Sequence, residues 1–75
     1  MCGANVIESI EKVLDFSTKL ILMSLKNEKP TKAQIDAIRK HCRNLANENV
    51  FSFDVKAKDD ELLMQIQCFA TRVNG

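Results

Sequence analysis

The 75-residue chain has no Trp, no Tyr, two Gly, one Pro, one His and three Cys. Each scarcity excludes something. So little Gly and Pro rules out collagen-like, linker-like and low-complexity segments. It also leaves no Gly-rich phosphate cradle of the P-loop or G-x-G-x-x-G kind. Cys2, Cys42 and Cys68 are odd in number and widely spaced, which is no disulfide framework. Neither C-x₂-C nor H-x₃-H spacing occurs, so no zinc set and no cofactor is expected. His41 is the single histidine and no G-x-S-x-G is present, so a nucleophile with its base and orienting group is not legible. The longest uninterrupted apolar run is Leu20-Ile21-Leu22-Met23, far short of the roughly 20 residues that cross a bilayer. The first charges are Glu8 and Glu11, not a basic leader, so no secretory signal and no membrane partner are expected. Reduced thiols in the cytoplasm are the simplest expectation.

What is present is ordinary for a folded chain: 45% apolar and 28% charged residues with a net charge of +1. Size is the physical problem. A single domain this small buries only about 60% of its unfolded surface. Its core rarely supplies more than ~3–5 kcal/mol. With disulfides and metals excluded, a partner subunit is the remaining support.

Three segments carry helical periodicity or can. Over residues 5–26, Val6, Ile7, Ile10, Val13, Leu14, Leu20, Ile21 and Leu25 recur at helical spacing, with Asn5 and Glu8 as an N-cap pair. The second half of this segment is apolar most of the way round, so it should be covered on more than one side. Over 32–47, Thr31 and Gln34 form a second capping box ahead of Ile35, Ile38, Cys42 and Leu45. Residues 50–57 alternate, with Phe51, Phe53, Val55 and Ala57 on one side and Ser52, Asp54 and Lys56 on the other, an extended pattern. Residues 60–73 read two ways. As a helix, Leu62, Leu63, Ile66, Phe69, Ala70 and Val73 share one face, and Asp59, Asp60 and Glu61 suit its N-terminus. As a strand, Asp59-Asp60 would turn a hairpin against 50–57. The helix keeps more of the apolar residues on one side.

The expected fold is therefore mainly α. It is one small domain of two antiparallel helices, a short extended segment and a third helix. The alternative is α+β with a C-terminal hairpin. Expected core positions are Ile10, Val13, Leu14, Ile21, Ile35, Ile38, Leu45, Phe53, Ile66 and Phe69.

Candidate chemistry is sparse. Removing Met1 would expose Cys2 as a terminal nucleophile, but 75 residues lack the bulk to enclose a substrate cleft. His41 and Cys42 are adjacent, so on a helix their side chains diverge by about 100° and cannot share a metal. Charge is the uneven feature. Lys32, Arg39, Lys40 and Arg43 gather on the second helix, a candidate contact for phosphates or an acidic partner. The small net charge and the acidic 59–61 cluster argue against a dedicated nucleic-acid domain, so nucleic-acid binding through the basic face of the second helix is the alternative function and not the first. The excess apolar surface points instead to a non-catalytic protein–protein interaction module, a regulator, adaptor or inhibitor that pairs as a homodimer. Its candidate interface residues are Phe16, Leu22, Met23, Phe51 and Phe53. The unpaired extended segment is a second reason to expect a dimer, since a lone strand must find its ladder partner elsewhere.

Overall fold

A computed structural model describes the backbone of residues 2–75 and side chains from Asn5 onward. Three helices follow in order: α1, Cys2–Leu25; α2, Lys32–Asn47; α3, Asp59–Asn74. No strand occurs among the described residues. The mainly α architecture is thus the observed one, and the C-terminal hairpin is not formed.

The 24 residues of α1 span about 36 Å at 1.5 Å each. That accounts for most of the molecule's longest dimension, 38 Å. The helix begins before Asn5, so the expected Asn5–Glu8 cap does not exist and Asn5 lies inside the helix. Its other end is closed by Asn27 in the left-handed region, φ 58°. Glu28 N donates to Met23 O at 2.8 Å and Asn27 N to Ser24 O at 3.1 Å, the paired bonds of a Schellman turn.

Helix α2 starts where its capping box places it. Gln34 N donates to Thr31 Oγ1 at 3.1 Å, and Thr31 N donates to Gln34 Oε1 at 2.8 Å. It ends on a second Schellman turn. Asn49 has φ 60°, and Val50 N donates to Leu45 O at 2.9 Å. Asn tolerates this conformation better than other side chains, because Cβ crowding costs an ordinary residue roughly 1–2 kcal/mol there. Asn49→Ala is expected to lower stability by about 1 kcal/mol and Asn49→Gly to preserve it. Denaturant midpoints of the two variants check this.

Residues 48–58 cross from α2 to α3 without pairing to anything strand-like. The alternation predicted for 50–57 is nevertheless visible in burial. Phe53 is buried and Phe51, Val55 and Ala57 are half-buried, while Ser52, Asp54 and Lys56 face outward. Side chains replace the missing strand. Arg39 Nη1 donates to Val55 O at 2.6 Å and to Ala57 O at 2.9 Å. Gln65 Oε1 accepts from Asp54 N at 2.7 Å, and its amide donates to Asp54 O at 3.3 Å. These bonds give the segment partners within the chain, so an unpaired strand is no longer a reason to expect a second copy.

Asp59 and Asp60, the turn of the rejected hairpin, open α3. Its N-cap Lys58 makes no side-chain cap, and the three acids of the first turn meet the helix dipole instead.

The core gathers Val13 and Phe16 from α1, Ile35, Ile38, Cys42 and Leu45 from α2, Phe53 from the crossing, and Leu62, Ile66 and Phe69 from α3. Phe51, Phe53 and Phe69 form an aromatic triangle with centroid separations of 4.8, 5.3 and 5.5 Å. Of the expected core, Ile10 and Leu14 are half-buried. Ile21 is the exception, 54% exposed. Its side of α1 borders a groove toward α3, where the opposing residues are Gln67, Thr71 and the small Ala70.

Candidate interaction surface

The four basic residues read from α2 do not form a common surface. Arg39 is folded inward. Besides the carbonyls of Val55 and Ala57, it pairs with Asp59 through Nη2–Oδ1 at 2.7 Å, and its side chain is only 17% exposed. Lys32 Nζ lies 3.6 Å from both Asp36 Oδ1 and Asp59 Oδ2. Asp59 thus holds the α3 N-terminus onto α2 and occupies two of the four cations. Lys40 and Arg43 stay exposed on the outer face.

A polar junction absent from the sequence reading lies between α1 and α2. Ser9 has no exposed surface. Its Oγ is 3.0 Å from His41 Nδ1 and accepts from Asn44 Nδ2 at 3.1 Å. The hydroxyl can donate to an unprotonated Nδ1 or accept from a protonated one, so the pair accommodates either tautomer of the neutral imidazole. A Ser–His pair has the form of a nucleophile and base, but a serine with no accessible surface cannot meet a substrate carbon. The trio joins the start of α1 to the end of α2. Ser17 is the other buried hydroxyl; it donates to Leu14 O at 2.7 Å, and Gln67 of α3 donates to Ser17 O at 3.3 Å. A serine among apolar residues at helical spacing gives the only signal that could have located these positions.

Burial holds the His41 imidazole below its ordinary value of 6.5, with Glu8 raising it and Lys12 and Lys40 lowering it. A base whose folded pKa is depressed favours folding while neutral. Its contribution is complete above about 6.5 and is lost as pH falls from there through the folded pKa. The melting temperature is expected to drop between neutral pH and the onset of carboxylate titration. In His41→Asn, whose Oδ1 takes the place of Nδ1, that slope should flatten. An equal slope in both proteins would remove His41 as its cause.

Cys42 is fully buried, and burial pushes its thiol up to about 12 against the opposing charge of Arg39. Cys68 is exposed on α3. The side chain of Cys2 lies outside the described residues. Among the described residues no three His, Cys, Asp or Glu side chains converge on a metal-sized point. No helix among the described residues is long and apolar enough to cross a membrane.

Apolar surface is where the structure departs from self-sufficiency. Of the expected interface residues, Phe16 and Phe53 are core, and Phe51 closes the aromatic triangle with the Arg72 guanidinium 6.0 Å above its ring. These three hold the domain together. Met23 is half-buried and Leu22 is exposed. Sequence reasoning named Leu22 but placed Ile21 inside, and both are 54% exposed; Leu25 reaches 78%. Val73 of α3 continues the phase of the buried residues Ile66 and Phe69, yet it is 49% exposed. Between these helix ends runs a groove of about 380 Å³, lined by Ser17, Thr18 and Ile21 on one side and by Gln67, Ala70 and Thr71 on the other. Comparison of the chain with protein-family models, curated proteins and solved structures gives no match.

Proposed function

We propose that the chain is a non-catalytic protein–protein interaction module that also self-associates, acting as a regulator, adaptor or inhibitor of another protein. The observation that supports this most is the exposed apolar end of α1, where Ile21, Leu22 and Leu25 are 54%, 54% and 78% exposed within five residues. Clustered apolar surface of this kind is characteristic of contact sites. Burial of the only paired hydroxyl and imidazole fits a module without a reaction centre. The inert Cys42 and the absence of a cysteine pairing pattern fit a reducing compartment, which we take to be the cytoplasm. A second reading, nucleic-acid binding through α2, rests on Lys40 and Arg43 alone, because Arg39 and Lys32 are engaged by Asp59.

The test is a tagged pull-down from native extract with and without nuclease, using the parent chain and Leu22→Glu/Leu25→Glu. Both sites are exposed, so the fold should survive. A stoichiometric protein retained after nuclease and lost in the variant supports the module. Retention that vanishes with nuclease, and with Lys40→Ala/Arg43→Ala, favours the second reading.

A further inference from the structure

We infer that a second copy of this chain covers α1, lying antiparallel to it across a twofold axis near the level of Phe16. This rests on the interaction reading above and specifies the partner for its self-association. The helix carries two apolar stripes. One holds Val13 and Phe16 and faces the core. The other runs Ile7, Ile10, Leu14, Thr18, Ile21 and Leu25, stepping three or four residues at a time. Ile7, Leu14 and Ile21 stand a heptad apart, the interval that lets two helices stay in contact over their length. Ile7 is 60% exposed, Ile21 and Leu25 are exposed as described, and Leu14 and Ile10 are half-covered. The stripe is open at its two ends, Ile7 and Ile21 to Leu25, while Ile10 and Leu14 between them also pack against the core and offer only their outer edge.

Charge selects the occupant and its direction. The first half of α1 has Glu8, Glu11 and Asp15 against Lys12, and the second half has Lys19, with Lys26 just beyond the helix. A parallel copy would set acids against acids and lysines against lysines. An antiparallel copy centred near Phe16 sets Ile7 level with Leu25 and Leu14 level with Thr18. It also puts Lys19 at the level between Glu11 and Asp15, and Lys26 near the level of Glu8. One surface then serves both copies, as a twofold interface requires. Opposed charges along such a pair fix orientation more than they add affinity.

The test uses the full chain with Cys2→Ser and Cys68→Ser, which leaves the buried Cys42. Sedimentation velocity over tens to hundreds of micromolar is expected to show a monomer–dimer equilibrium. Ile21→Glu/Leu25→Glu should weaken it at least tenfold with unchanged circular dichroism. In the same background, Ile7→Cys mixed with Leu25→Cys is expected to give a disulfide-linked heterodimer under mild oxidation, with little linkage in either alone. A monomer throughout the range overturns the proposal, and so does self-linkage of each variant alone, which marks a parallel pair. If the chain is monomeric yet the Leu22→Glu/Leu25→Glu variant loses a captured protein, the interaction module stands and self-pairing falls. If that variant also keeps its captured protein, both fall.

Discussion

Phe69→Ala is expected to leave the protein largely unfolded at room temperature. Phe69 is almost fully buried and touches the rings of both Phe51 and Phe53. Truncating such a ring costs about 3–5 kcal/mol, through lost transfer energy and the cavity left behind. A domain of this length commands no more than about that from its core. The aromatic triangle is also the main tie between the irregular crossing and α3, so its loss should free residues 48–58 together with the helix. Thermal unfolding followed by circular dichroism decides the point. A melting temperature within a few degrees of the parent would show that the triangle is peripheral.

The second large effect is expected at Arg39. One guanidinium holds two carbonyls of the crossing and one carboxylate of α3. Arg39→Met keeps much of the apolar stem but leaves those acceptors without their donor, at a cost of about 2–3 kcal/mol. Arg39→Lys should recover little of it, because a single ammonium cannot span three acceptors in a planar fork. The same variant separates two roles for the residue. A surface cation used for phosphate would lose salt-sensitive retention on heparin with no change in melting temperature. The inward Arg39 predicts the reverse.

These two residues mark where reading the chain alone succeeds and where it stops. Thr31 and Gln34 reported the start of α2 because a capping box is local: donor and acceptor are three residues apart. The face of α3 was legible because six apolar residues repeat at one period over its length. The burial pattern of 50–57 was legible for the same reason, yet its backbone partners were not. They are Arg39 and Gln65, reached from two different helices, and no spacing rule connects them to the segment. Its neighbours in sequence group Arg39 with Lys32, Lys40 and Arg43 as a contact for phosphates or an acidic partner, while its destination is set by Asp59, twenty positions away. Ser9 was invisible for a related reason: a lone hydroxyl on an apolar face is read as a gap until His41 and Asn44 are brought to it. Ile21 shows the limit of periodicity itself. Its phase matches Leu14, but burial depends on what the neighbouring element sets opposite, and across from Ile21 α3 offers Gln67, Thr71 and only the small Ala70.

The central claim is that the outward stripe of α1 is the surface through which this chain pairs with a second copy of itself. The most direct measurement is a methyl-resolved NMR concentration series on protein labelled at Ile, Leu and Val. The account predicts concentration-dependent shifts for Ile7, Ile21, Leu22 and Leu25, with Ile38, Leu45 and Ile66 unmoved. Shifts confined to other faces, or none at any of these methyls across the range, would contradict it.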